Sequence, residues 1–241
     1  MKDKKFLKAF IEDCKYYDLE NKEINEIIKS VNVKNKTILD IGAGIGRLAF
    51  PLSKYAKEVV ALDKDKRFIE YFQQHKKKNL TLINKSLENY KTNKKFDIIL
   101  TAWPTLNFKS IDLIKKVMHD KSKFILITGS DDSDLKKTFR KIKKNKNHEK
   151  YVKNRENLIK NLTKNFKVKI KKKMNVYYTF PNKKIAFKLT KNSAKLWYSV
   201  EMNEKAEKII LSLLKKREKG KKIILKEKVW FILMENLKCK S

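Results

Sequence analysis

Three of the chain's five glycines, Gly42, Gly44 and Gly46, fall within five residues of one another. An average globular chain is about 7% glycine, so a 241-residue chain with five of them has avoided the residue almost everywhere else. Clustered glycines permit positive φ and let a ligand approach the backbone where a Cβ would otherwise stand. These three lie between the apolar run Ile38-Leu39-Asp40-Ile41, which reads as a buried parallel strand, and Arg47 to Ala56, which reads as a helix because Leu48, Leu52 and Ala56 recur every four residues. A glycine-rich elbow between strand and helix is suited to cradling a nucleotide-like ligand. No GxxxxGK[ST] phosphate loop is present, and Arg47 stands where a dinucleotide fingerprint needs Gly or Ala. Two acids complete the constellation. Asp40 precedes the glycines, and Asp63 ends the run Glu58-Val-Val-Ala-Leu-Asp63, where a carboxylate can accept both ribose hydroxyls of a nucleoside.

The pattern Asp40-x-Gly42-x-Gly44-x-Gly46 resembles the first motif of the class I S-adenosylmethionine-dependent methyltransferases. Glu58 to Asp63 is similar to that family's second strand, Asn79 to Ser86 to its third, and Phe96 to Pro104 to its fourth. The stretch from Asp40 to Asp65 also resembles the rRNA adenine dimethyltransferases. The resemblance implies S-adenosylmethionine as cofactor, with Asp40, Gly42, Gly44, Gly46, Asp63, Ser86 and Thr101 holding it. It further implies a transfer site walled by Trp103, Pro104 and Thr105, with Tyr17 closing over the substrate unless it only packs. The chain departs from the pattern in two places. Ser86 replaces the usual Asp at the adenine edge, leaving Glu88 as an alternative, and Thr101-Ala102-Trp103-Pro104-Thr105 keeps only the proline of the motif that holds a target amine. That departure argues against ordinary base-amino methylation. No residue stands out as a general base, and Asp97 reads as structural.

Elements that would position these residues follow from periodicity. Phe6, Leu7, Phe10, Ile11 and Cys14, then Ile24, Ile27, Ile28 and Val31, recur at helical spacing, so two amphipathic helices precede the first strand. A helix around Ile111 to Val117, a fifth strand Lys123 to Gly129 and a charged helical segment from Asp131 to Lys164 come next. A sixth strand, Phe166 to Phe180, leads through Asn182 as cap into a helix, then into a second helix from about Asn203 to Lys219 that stops at Gly220. An apolar strand, Val229 to Met234, closes the chain. Strands alternating with helices predict an α/β fold with a doubly wound, mostly parallel sheet of seven strands, helices on both faces and the final strand antiparallel. The expected organisation is one methyltransferase domain over 1–241: a helical lid at 1–33, the cofactor-binding core at 34–130, and a C-terminal part with inserted helices at 131–241.

Composition bounds the setting. Hydrophobic residues at 41% suffice for a core, and nowhere do about 18 apolar residues run together as a membrane span needs. Cys14 and Cys239 lie far apart with no His/Cys cluster beside them, so no metal site is expected and a cytoplasmic location is the simplest. Lys and Arg number 61 against 27 acids, a net charge of +34, and a field of that sign attracts polyanions. Between Asn157 and Val200 there is no acid at all, while lysines alternate with Phe166, Tyr177, Tyr178, Phe187, Trp197 and Tyr198. That mixture fits RNA, and it equally fits a solvated lysine face whose aromatics point inward. The expected function is methyl transfer by in-line displacement to a small-molecule or otherwise undetermined acceptor, with RNA as the alternative acceptor and a non-catalytic nucleic-acid-binding protein as the third reading.

Overall fold

The computed structural model describes residues 2–75, 77–103, 109–143 and 146–237. Helices α1 (Lys2–Cys14) and α2 (Lys22–Ser30) precede strand β1 (Thr37–Ile41), helix α3 (Ala49–Leu52) and strand β2 (Glu58–Leu62). Helix α4 (Arg67–Gln73), strands β3 (Leu80–Ile83) and β4 (Phe96–Ala102), helix α5 (Lys109–Lys116) and strand β5 (Met118–Gly129) follow. The remainder comprises α6 (Asp134–Ile142), α7 (Lys146–Asn165), β6 (Phe166–Phe180), α8 (Lys183–Tyr198), α9 (Glu204–Lys216), the short β7 (Glu218–Lys219) and β8 (Lys222–Asn236). Two compact units result. The sheet unit takes Ile24–Thr128, Arg155–Lys172 and Trp230–Ser241, and the helical unit takes Met1–Glu23, Gly129–Asn154 and Lys173–Val229.

Strand order is β3-β2-β1-β4-β5-β8-β6, mostly parallel with antiparallel strands at the end, and helices surround it. This is the doubly wound sheet that the alternation of elements predicts. β1 and β2 are buried along all but their first residues, as parallel strands covered on both faces must be. β1 pairs with β2 on one side and β4 on the other, so Ile41 lies opposite both Leu62 and Thr101. The strand order reverses at β1, and the carboxyl ends of neighbouring strands there form the crevice where open α/β sheets bind ligands. Leu39, Ile99, Phe124, Leu126 and Ile232 pack the core, with Leu158 and Leu162 of α7 against them.

Two expectations need correction. The helix expected over Arg47 to Ala56 shrinks to α3, because Pro51 has no N–H to return to the Arg47 carbonyl. Helical turns persist around it, with Phe50 N–H on Gly46 O at 2.9 Å and Ala56 N–H on Leu52 O at 3.0 Å. The charged stretch after β5 is helical as expected, divided into α6 and α7. The last helix ends at Lys216 rather than running to Gly220, which instead turns the β7–β8 hairpin at φ +59.

In the helical unit Leu135, Phe139, Leu189, Ile210, Leu214 and Leu225 form the core. Asn182 and Asn203 cap α8 and α9, each side chain accepting a backbone N–H at 2.9 Å. A buried polar knot joins Glu227 to Lys136 at 3.0 Å and to the Ser133 hydroxyl at 2.7 Å. Tyr17 is buried, donates to Glu23 Oε1 at 2.6 Å and meets Tyr178 edge-on, so its role is packing rather than closing over a substrate. Of the seven aromatics in the acid-free stretch, Trp197 is exposed, whereas Phe166 and Phe180 are buried and Tyr178, Phe187 and Tyr198 pack against the core, Tyr178 also tied to Asp13. The inward-pointing reading of that stretch therefore holds for most of its rings.

Candidate functional site

The loop after β1 is built by hydrogen bonds to the end of β2. Gly42 and Ala43 donate to the Leu62 carbonyl at 2.8 and 3.0 Å, and Gly46 donates to Ala43 O at 2.9 Å. Gly42, Gly44 and Gly46 all adopt left-handed φ, at +75, +56 and +79. This backbone path is what a glycine cluster permits and other residues resist. A Cβ on Gly42 would meet nothing within 4 Å, so the loop presents open space there. A Cβ on Gly46 would lie 2.5 Å from the Phe50 ring and 2.7 Å from that of Phe72, so this glycine serves close packing.

Asp63 locks the loop. Its Oδ2 accepts from Gly44 N–H at 2.8 Å and its Oδ1 from Asp65 N–H at 2.9 Å. A carboxylate offers about four acceptor positions, so two remain for donors from a ligand. Asn84 supports it from behind, its amide donating to the Asp63 carbonyl at 2.8 Å. Asp40 is buried at 2% exposure, and burial lifts its carboxyl to about 7, with the Arg47 guanidinium pulling it down and Asp63 pushing it up. The motif pattern marks neither Arg47 nor Asn84 as a site residue. Arg47 adjoins the last glycine and is one of few arginines in a lysine-rich chain, which was the available signal; nothing local marks Asn84.

Ser86 stands at the N-cap position of the short 3-10 turn Leu87–Asn89 without a side-chain cap bond, its hydroxyl near the Glu88 carboxylate. The bond Glu88 receives from its own backbone N–H, together with that hydroxyl, holds its carboxyl below the usual range. Ser86 and Glu88, the two alternatives for an adenine edge, therefore stand side by side at the start of this turn. Thr101 is a correction: it is fully buried and its hydroxyl donates to Ile41 O at 2.9 Å, tying β4 to β1 instead of facing a ligand. Trp103 leaves β4 with φ +55 and its N–H on Ile127 O at 2.8 Å, its side chain 36% exposed. A non-glycine residue in that region stores strain of about 1–2 kcal/mol, the kind found at functional sites. Pro104 and Thr105 lie outside the described residues. Asp97, at the opposite end of β4, is structural: burial raises its carboxyl, but bonds from Thr37 N–H, Thr37 hydroxyl and Lys36 outweigh this and bring it to about 2.

The profile of the family described as ribosomal RNA adenine dimethylase matches residues 11–195. The chain belongs to that family. Ribosomal RNA small subunit methyltransferase A of Wigglesworthia glossinidia brevipalpis is 38% identical over 68 residues, which are 27% of this chain and 26% of the relative. A ubiquinone biosynthesis O-methyltransferase of Pelagibacter ubique is 38% identical over 87 residues, 35% of this chain and 36% of that one. The dimethylase-family chain thus matches about a quarter to a third of these curated relatives' lengths. Its fold is also that of the N-methyltransferase NodS of Bradyrhizobium japonicum, solved with S-adenosyl-L-homocysteine: the TM-score is 0.51 at 12% identity, over 90% of this chain and 87% of that one. Among the described residues no helix is long and apolar enough to cross a membrane.

The residues fit S-adenosylmethionine, the cofactor of the family. Gly42 leaves open space over the loop, Asp63 retains acceptor capacity at the end of β2, and Asp40, two residues before Gly42, carries a buried carboxyl that feels both Arg47 and Asp63.

Proposed function

We propose that this chain is an S-adenosylmethionine-dependent methyltransferase whose acceptor is RNA. The observation that carries the reading is the Gly44 N–H bond to Asp63 Oδ2 at 2.8 Å, which holds the left-handed glycine loop against the ribose-binding carboxylate. Membership of the dimethylase family and the charge of +34 favour RNA over the small-molecule acceptor. The cofactor supplies an already activated methyl group. The protein's work is then orientation and exclusion of water. Gly42 and Gly44 admit the cofactor, Asp63 accepts from its ribose, the Ser86–Glu88 pair receives its adenine edge, and Asp40 orients its amino-acid end. Trp103 walls the acceptor side with its indole, in a stretch that keeps only the proline of the motif by which amine-methylating relatives hold their target. A small-molecule acceptor keeps one specific support, the O-methyltransferase relative, 38% identical over 87 residues.

The test is calorimetric titration with S-adenosylmethionine and its demethylated product, after high-salt removal of bound nucleic acid. Radiolabelled methyl transfer into RNA and into small phenolic acceptors follows. Binding plus label in RNA is the expected result. Absence of binding at millimolar ligand overturns the proposal, and label confined to small acceptors moves it to the second reading.

Asp40 adds a pH dependence. Its folded carboxyl sits above the ordinary 3.8, so its contribution to stability is full below that value and is lost as pH rises through about 7. Its charge, which a cationic cofactor needs, has the opposite dependence. Cofactor affinity is expected to fall about tenfold from pH 8 to pH 6, as the ionised fraction drops from roughly 0.9 to 0.1. Asp40→Asn flattens that profile in the same titration. A parallel pH profile in wild type and variant removes Asp40 from the site.

A further inference from the structure

The helices inserted between β6 and β8 belong to the helical unit and leave a groove between α6 and α9 that the methyl-donor site does not use. Its walls carry four exposed lysines, Lys141 from α6 and Lys205, Lys208 and Lys216 from α9. Residues 205, 209, 212 and 216 share one face of α9, so the outer lysines are 11 residues apart, about 16 Å along the axis. One phosphate cannot reach both ends of such a row. A chain of phosphates can. Glu204, the one acid on the groove, is paired with Lys208 at 2.5 Å, and among the described residues Lys141, Lys205 and Lys216 have no acidic partner.

Helix electrostatics accounts for only part of this row. Lys216 in the last turn of α9 and Lys141 in the last turn of α6 complement the negative ends of their helix dipoles. Lys205 stands in the first turn of α9, at the positive end, where a cation is unfavourable. An anion in the groove offsets that cost. Between the lysines the Ser212 hydroxyl offers a donor for phosphate oxygens, and Ile209 and Leu213 give a half-buried apolar floor.

We infer that the α6–α9 groove holds the phosphodiester backbone of single-stranded RNA. The site lies wholly in the helical unit and stands whether or not the sheet unit transfers a methyl group. Single-stranded RNA suits it better than a planar anionic surface, because the lysines line a concavity, with Lys205 and Lys216 spaced along α9 and Lys141 supplied by α6.

The experiment compares wild type with Lys141→Gln/Lys205→Gln/Lys216→Gln by fluorescence anisotropy of a labelled oligouridylate across a salt series. Three lost phosphate contacts at about −0.7 each are expected to make the slope of log affinity against log salt shallower by about 2. Affinity near 0.1 M salt is then expected to fall roughly 100-fold. A control removing the same charge from exposed positions of the sheet unit, Lys57→Gln/Lys77→Gln/Lys78→Gln, is expected to change little. Equal losses in the two variants mean diffuse attraction and overturn the proposal, as does an unchanged first variant. Full displacement of the oligomer by millimolar pyrophosphate also overturns it, in favour of a small-anion site. Titration of both variants with S-adenosylmethionine separates the two readings. Cofactor binding without groove-dependent RNA binding sinks the groove alone, and groove-dependent RNA binding without cofactor binding sinks methyl transfer alone.

Discussion

Gly42→Ala is expected to leave the protein folded and to weaken S-adenosylmethionine binding about 100-fold, close to 2.7 kcal/mol, whereas Gly46→Ala is expected to damage the fold itself. Both positions have nearly the same left-handed φ, +75 and +79, so the backbone strain of a side chain is alike, about 1–2 kcal/mol. Their surroundings differ. At Gly42 the new Cβ meets nothing, so strain is the whole structural cost, and the methyl group occupies space where the cofactor would lie. At Gly46 it would press on Phe50 and Phe72, whose rings are 4.6 Å apart and hold the turn after β1 against α4. Overpacking adds about 1–3 kcal/mol there. The sum lowers the melting temperature by roughly 10 °C in a domain of this size. Thermal melts and calorimetric titrations of the two variants check the contrast. If Gly42→Ala binds like wild type, the cofactor does not lie over this loop.

The second large effect is expected at Asp63. Asp63→Ala removes acceptors for the Gly44 and Asp65 N–H groups together with the carboxylate offered to ribose. Hydrogen bonds to charged groups contribute about 1.5–3 kcal/mol each. Cofactor affinity is expected to fall 100-fold or more, to about 1% of wild type, with a moderate loss of stability. Asp97→Ala is the contrasting case. It also breaks bonds to Thr37 and Lys36, but at the far end of β4 from the loop, so stability falls while cofactor affinity stays near wild type. Because the Asp97 carboxyl is held near 2, its stabilisation is present above the ordinary carboxylate range and is lost only as pH falls through about 2. Similar losses of affinity in both variants would mean that Asp63 acts through the fold and not through contact.

Much of the sheet and of its glycine loop was legible from local pattern. Ile38-Leu39-Asp40-Ile41 and Val59-Val-Ala-Leu62 are apolar runs of the length that only covered parallel strands need, and three glycines in a glycine-poor chain mark the turn between strand and helix. Asp63 was legible for the same reason, standing at the end of such a run. Asn182 and Asn203 declared their helices because capping is a contact between residues three apart. Pro51 was equally visible, and its effect on α3 follows from a missing N–H that the apolar spacing of Leu48 and Leu52 concealed.

What the assembled chain decided involves partners distant in sequence. Thr101 reads as a site residue at the end of a strand, yet the pairing of β4 with β1 turns its hydroxyl onto Ile41, 60 residues away. Tyr17 reads as a gate until Glu23 and Tyr178 enclose it. The lysine row of the α6–α9 groove required two helices, more than sixty residues apart in the chain, to face each other. Periodicity and glycine spacing report forces acting within a turn or a strand. Which carboxylate is desolvated, which hydroxyl is already satisfied and which lysines share a groove depend on packing between segments, and no local pattern encodes that.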